Sequence, residues 1–269
     1  MLHIKLGIIG CGNMGEAIIK GVLSKKNISK RNIYAADKIK AKPAHLRKRY
    51  GVEIVSLNSA LVRKSQVIIL AIKPQDVLKV LEEIRYFIDE TKLIISIMAG
   101  IKTEKIRNII GRSVPVVRVM PNMAAFVGES FSAISYNRFV KNVHKAIVRK
   151  LFSAIGEITE IDEKKQDAFT ALSGSGPAYF CYMVECFVRT ALKEGFSRKE
   201  ALRLVVQTIK GSAKVLTLSG VTPEFLRENV TSKGGTTEAA IKVFEKRALK
   251  KIIMEAIKAA VKRSRELSR

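Results

Sequence analysis

The sequence predicts an α/β Rossmann-type N-terminal domain followed by an all-α C-terminal dimerisation domain. Three observations carry that expectation. Short apolar runs alternate with amphipathic stretches from residue 1 to about 161, a glycine-rich turn stands directly behind the first run, and strand signals stop after Asp162. The expected division is therefore a dinucleotide-binding domain over residues 1–161 and a helical domain over 162–269.

The elements justify this in order. Residues 4–9 form a short apolar run suited to a buried strand, and from Glu16 the apolar spacing is helical, so Gly10-Cys11-Gly12-Asn13-Met14-Gly15 lies on a strand-to-helix turn. Gly10 permits the tight turn, Gly12 lets the backbone approach a pyrophosphate, and Gly15 lets the helix pack on the strand. Asn13 and Met14, between those glycines, are candidate cofactor contacts, and the N-terminus of the helix that follows faces the negative charge. Asp37 closes the next run, residues 32–36, where such folds meet the adenosine ribose. Further strand-like runs cover residues 67–72, 93–97, 114–119, 131–135 and 157–161. Helical periodicity then covers residues 178–193, 198–218, 236–244 and 247–267. Such helices carry more apolar surface than one small domain encloses, which implies a homodimer.

Composition sets the limits. A chain of 269 residues that is 47% hydrophobic has room for two cores. No apolar run approaches the roughly 20 residues of a membrane span, and the chain enters a strand without a signal-peptide pattern, so a cytoplasmic protein is expected. Cys11, Cys181 and Cys186 lack paired metal spacing and read as small buried thiols. His3, His45 and His144 lie outside every motif, so neither a histidine metal site nor a histidine base is expected. The net charge of +25 is spread over most helices without aromatic interleaving, which reads as solvated faces that attract anionic ligands.

Three further segments sit where strands end: Ala71-Ile72-Lys73-Pro74-Gln75, Ser96-Ile97-Met98-Ala99-Gly100 and Met120-Pro121-Asn122. In an open α/β sheet the ligand lies outside the carboxyl ends of the strands, so Ala71, Lys73, Pro74, Ala99, Gly100 and Asn122 are candidate cofactor contacts. Lys73 is either a catalytic lysine or a stem packed over the cofactor beside Pro74 at a helix start. In the helical half, Ser173-Gly174-Ser175-Gly176-Pro177 is either a cap before a long helix, with Ser175 satisfying an orphan amide, or a place where two glycines leave amides exposed to a ligand. Thr231-Ser232-Lys233-Gly234-Gly235-Thr236-Thr237 also precedes a helix and offers a nest of amides for a carboxylate.

The glycine-rich turn, Leu70-Ala71-Ile72-Lys73-Pro74-Gln75, Val117-Arg118-Val119-Met120-Pro121-Asn122, Ala171-Leu172-Ser173-Gly174-Ser175-Gly176-Pro177-Ala178-Tyr179, and Leu226-Arg227-Glu228-Asn229-Val230 running into Gly234-Gly235-Thr236-Thr237 follow one another in this order. In these motifs the chain closely resembles the pyrroline-5-carboxylate reductase family over its full length. The resemblance implies hydride transfer from NADPH or NADH to C5 of the cyclic imine 1-pyrroline-5-carboxylate, giving L-proline in the final step of proline biosynthesis. It also implies that the Thr237 hydroxyl hydrogen-bonds the ring nitrogen, and that the amides of Gly235, Thr236 and Thr237 receive the carboxylate. Ser232, Gly234 and Ser175 complete the implied substrate site, Asn58 adds a polar cofactor contact, and the helical domain of one subunit serves the nucleotide domain of its partner. Three departures stand out: Met123-Ala124 where the family has Thr-Pro, Glu129-Ser130 where it has x-Gly, and Lys233 where it has Pro.

Rivals remain at the level of sequence. A 3-hydroxyacid dehydrogenase needs a lysine one helical turn before an asparagine in the second domain, and residues 173–195 contain none. A catalytically weak, cofactor-binding regulatory paralogue is suggested by the loop departures, and a nucleic-acid-binding protein by the charge. For the cofactor, Asp37 favours NADH by accepting from both ribose hydroxyls, whereas Lys38 or Lys40 could pair the 2′-phosphate of NADPH. Use of both is expected, unless Asp37 merely pairs with one of those lysines.

Overall fold

A computed structural model describes residues Met1–Leu267. The first part alternates β1 (Leu6–Ile9), α1 (Asn13–Ser24), β2 (Ile33–Ala36), α2 (Ala41–Tyr50), β3 (Glu53–Ile54), α3 (Asn58–Lys64), β4 (Val67–Leu70), α4 (Val77–Ile84), β5 (Leu93–Ser96), α5 (Thr103–Ile110), β6 (Val116–Met120), β7 (Ser130–Tyr136), α6 (Asn142–Phe152) and β8 (Gly156–Glu160). They form an eight-stranded sheet in the order β3-β2-β1-β4-β5-β6-β7-β8. Every neighbouring pair is parallel except β6 and β7. The reason is local. Only residues 121–129, which include the short 3-10 turn Met123–Val127, separate β6 from β7, too little chain for a crossover, so β7 returns antiparallel. β3, two residues long, was not foreseen because so short a run carries no periodic signal.

Alternation along the strands supplies two cores. Leu6, Ile8, Val67, Ile69, Leu93 and Ile95 face α1 and α6, while Ile9, Ile68, Leu70 and Ile94 face α3 to α5. Each fully buried aliphatic side chain contributes about 1.5–3 kcal/mol. The strand order reverses at β1, which has β2 on one side and β4 on the other. A cleft opens at such a switch point, beyond the carboxyl ends of the strands.

The outer strand is tied by charge. Glu160 accepts from the Tyr136 hydroxyl and from Arg149 Nε, each at 2.6 Å. The hydrogen bond from Arg149 is the main cause that holds the Glu160 carboxyl below its usual range, against the opposing effect of burial. A depressed carboxyl stabilises the fold above its unfolded-state pKa and loses that contribution as pH falls through its folded-state pKa. Because the side chain is 35% exposed, the contribution is under about 1 kcal/mol. Glu160→Gln is therefore expected to narrow the stability difference between pH 7 and pH 3 by less than that amount in urea titrations, with no effect at the acid end.

Two compact units result among the described residues: Met1–Ser175 together with residues 260–267, and Gly176–Ala259. The last strand ends at Glu160, and compactness changes only after Ser175. The intervening residues pack on the sheet. Gln166, at the start of α7 (Gln166–Phe169), is fully buried and donates to Ser135 Oγ at 2.9 Å. Asp167 binds Arg118, a β6 residue 1% exposed, at 3.2 Å, and also accepts from Ser264 Oγ at 2.9 Å.

The second unit holds α8 (Gly176–Lys193), α9 (Arg198–Ser219), α10 (Pro223–Asn229), α11 (Thr236–Lys246) and the larger part of α12 (Leu249–Leu267). Ser197 and Glu200 cap α9 reciprocally. Within this unit Ala201 and Val205 are the only apolar side chains counted as buried among the described residues. Phe180, Tyr182, Phe187 and Leu218 stand open, at 58%, 69%, 57% and 74% exposure. Cys181 and Cys186 are exposed on the same helix as Phe180, against the expectation of buried thiols; only Cys11 is buried. No helix among the described residues is long and apolar enough to cross a membrane.

Candidate active site

β1 runs into the glycine turn and α1 leaves it. Gly10 has φ +103°, and a Cβ there would strike the carbonyl of Ala71; one on Gly15 would strike the carbonyl of Gly10. Those two positions are closed by packing. A Cβ on Gly12 would meet nothing within 4 Å. Gly12 is the N-cap of α1 and no side chain caps it, so the first-turn amides at Asn13, Met14 and Gly15 present uncancelled donors. Open space in front of an uncapped helix start fits a phosphate group, and the residues here fit a dinucleotide cofactor on that ground.

The turn forms one wall of a crevice of about 620 Å³. Of the expected cofactor residues, Gly10, Gly12, Asn13, Met14, Asp37, Asn58, Ala71 and Lys73 line it. Gly15 lies beneath the turn, and Pro74 opens the short 3-10 turn Pro74–Asp76 beside it. Ala99, Gly100 and Asn122 are not on its walls; Ile97, Met120, Pro121 and Met123 stand there instead. Gly100, at φ +75°, packs against Leu267 at the end of α12, which removes it from the crevice. Sequence reasoning missed Lys42, Asp76, Lys79 and Glu83, which also line the crevice. They come from helices and a helical turn that read as solvated surface, and only their position early in α2 or around α4 pointed inward.

Asp37 is more constrained than expected. Its Oδ2 accepts from the Cys11 amide at 2.7 Å and its Oδ1 from the Ile39 amide at 2.8 Å, so the carboxylate ties the glycine turn to the loop after β2. It does not pair with Lys38: the ammonium of Lys38 goes to Asp76, 2.9 Å away. Lysine at this position reaches across to the next loop because Asp37 is already engaged by two amides. Burial, and then the charge of Asp37, push the Cys11 thiol up to about 12, so it is a neutral packing group.

The Ser173–Pro177 segment is not a cap before a helix. α7 continues into a π-helical turn, Thr170–Gly174, and α8 starts at Gly176, with the Ser175 amide donating to Thr170 O at 2.8 Å. Proline is the physical reason. Pro177 has no N–H for the carbonyl of Ser173 four residues earlier, and the Asn122 amide group donates to that carbonyl at 3.3 Å and to Ser173 Oγ at 3.2 Å. Gly174 sits against the methyl of Met120, a crevice residue, where a Cβ would come within 2.7 Å. Asn122 thus holds the π turn at the end of β6 rather than lining the crevice.

The second loop expected to meet an anion lies in the helical unit. Gly234 has φ +75°, and its amide donates to Glu238 Oε2 at 2.9 Å. The amide of Gly235, expected to receive a carboxylate, instead donates to Ser232 O at 3.0 Å and closes the turn. Ser232 Oγ lies where a Cβ on Gly235 would go, so a side chain there would have to displace that hydroxyl. Gly235 is the N-cap of α11 without a side-chain cap, which leaves the first-turn amides of Thr236, Thr237 and Glu238 as the donors for an anion. Thr237 is half-buried in that first turn and Thr236 is exposed.

Residues 163–267 match the family described as pyrroline-5-carboxylate reductase dimerisation, and residues 5–100 match NADP oxidoreductase coenzyme F420-dependent. Pyrroline-5-carboxylate reductase 1 of Bacillus spizizenii is 36% identical over 265 residues, covering 98% of this chain and 89% of that protein. The pyrroline-5-carboxylate reductase of Arabidopsis thaliana is 38% identical, covering 98% and 95%. A crystal structure of Plasmodium falciparum pyrroline carboxylate reductase with NADP bound superposes with a TM-score of 0.93 at 34% identity, covering 100% of both chains. Likeness of this extent spans the glycine turn, the loops at the strand ends and the uncapped start of α11 alike, and it places the chain in the pyrroline-5-carboxylate reductase family.

Proposed function

We propose that the crevice behind β1 seats NADPH or NADH, and that the start of α11 seats the carboxylate of 1-pyrroline-5-carboxylate, which the enzyme reduces to L-proline in the last step of proline biosynthesis. When bound, the dihydronicotinamide supplies the hydride. The work left to this chain is orientation and charge. The amides of Thr236, Thr237 and Glu238 hold the carboxylate, and the Thr237 hydroxyl accepts from the ring N–H and so keeps the imine protonated and electrophilic. Ser232 and Gly234 shape the turn, and Ser175 contributes from the end of the π turn. No side-chain acid–base pair is required, because a protonated imine needs only positioning and the exclusion of water.

The observation that carries this reading is the uncapped start of α11, with a threonine hydroxyl in its first turn behind two glycines. Thr237→Ala is expected to lower kcat about 10²-fold or less while leaving the Kd for NADPH unchanged. Stopped-flow turnover with fluorescence titration of the cofactor separates the two, and unchanged turnover would reduce Thr237 to a helix-terminal residue.

The enzyme works as a homodimer or a dimer-based higher oligomer, which covers the apolar faces of α8 and α9. By the family likeness, α11 of one subunit serves the crevice of its partner. We place the protein in the cytoplasm, where its reduced thiols and nicotinamide substrate belong.

A further inference from the structure

The crevice contains an ion pair that the reaction does not need. Lys38, in the loop after β2, bonds both carboxylate oxygens of Asp76, at 3.1 and 2.9 Å, across to the turn that precedes α4. The partners differ in freedom: the Asp76 side chain is 27% exposed and the Lys38 side chain 72%. Asp76 is the held partner and Lys38 the one that can swing. Lys38 adjoins Asp37, the residue at the ribose end of the crevice, and Lys42, Lys79, Asn58 and Glu83 stand on the same walls. Glu83 is occupied by the Asn58 amide at 2.8 Å.

A 2′-phosphate on the ribose adds a dianion at this end. Lys38 is the nearest cation in sequence to Asp37, but it is already neutralised. Binding NADPH then means drawing Lys38 away from Asp76 and bringing the phosphate toward an uncovered carboxylate, whereas NADH meets neither demand. We propose that Asp76 is a specificity-determining residue that penalises the 2′-phosphate by holding Lys38, so the enzyme accepts NADH alongside NADPH. This rests on the cofactor reading of the crevice. It adds a second crevice carboxylate as a determinant beside Asp37, whose two oxygens already accept backbone amides.

The pair is solvent-facing, so its own energy is small and the repulsion it leaves behind is partly screened. Removing the competing carboxylate is accordingly expected to tighten NADP⁺ by about three- to tenfold. The test measures Kd for NADP⁺ and NAD⁺ by calorimetry on the wild-type protein, Asp76→Asn, Lys38→Met and the double variant, at two salt concentrations. Asp76→Asn should tighten NADP⁺ by that factor at low salt and less at high salt, with the NAD⁺ Kd moving far less. Lys38→Met should weaken NADP⁺, and in its background Asp76→Asn should retain only a small residual gain. Equal shifts for both cofactors, no shift, or a full gain without Lys38 would overturn the proposal while leaving the cofactor reading intact. A wild-type protein that binds neither cofactor would overturn that reading and this proposal with it.

Discussion

Replacing Arg118 with leucine is expected to cost about 3–5 kcal/mol of stability, because one partner of a buried charge pair is removed and the other left behind. Arg118 is 1% exposed on β6; its guanidinium lies 3.2 Å from Asp167 and 4.0 Å from Glu163. Asp167 is also bound by Ser264 of α12, so the pair links the central sheet, the segment after β8 and the final helix. In a thermal scan the variant should melt roughly 10 °C lower. Pairing Arg118→Leu with Asp167→Leu should recover part of the loss, since two apolar groups strand no charge. A single variant within about 1 kcal/mol of the parent in urea unfolding would show that the pair contributes nothing beyond volume.

Gly12→Val should leave the fold intact and strongly weaken cofactor binding. Gly12 has φ −79° and ψ −173°, a conformation open to any residue, and a Cβ there meets no protein atom within 4 Å. A ligand on the first-turn amides would be the first group to meet an added Cβ. Losing two charge-assisted bonds from the first-turn amides corresponds to about 10²- to 10³-fold in Kd. Gly10→Val is the contrasting control: at φ +103° against the Ala71 carbonyl it should damage the fold itself. If Gly12→Val binds NADPH normally, the phosphates do not lie on α1.

Much of this was legible in the sequence because it rests on local patterns. Buried strands such as residues 67–70 are uniform apolar runs, and the glycine turn combines steric and electrostatic demands at fixed spacing. What escaped depends on long-range partners. The π turn is held by Asn122 of a distant loop, which bonds the Ser173 carbonyl that Pro177 cannot serve, and nothing within residues 170–177 announces that partner. Gly235 read as a free donor because the bend that directs its amide to Ser232 is set by the left-handed Gly234 before it. Ala99 and Gly100 sit at a strand end, as ligand loops do, yet the end of α12 covers Gly100. Asp76 and Glu83 looked like ordinary helix-surface charges, since their place in the crevice is set by packing of α4 on the sheet.

The most direct measurement is steady-state oxidation of NADPH by the purified wild-type protein with 1-pyrroline-5-carboxylate as the sole second substrate, with proline quantified in the same samples. The account predicts turnover with one proline formed for each NADPH consumed, strongly lowered in Gly12→Val through cofactor binding and reduced in Thr237→Ala through kcat. Tight cofactor binding without oxidation in the presence of the imine would contradict it, and would make the chain a cofactor-binding member of the family that no longer carries out the reaction.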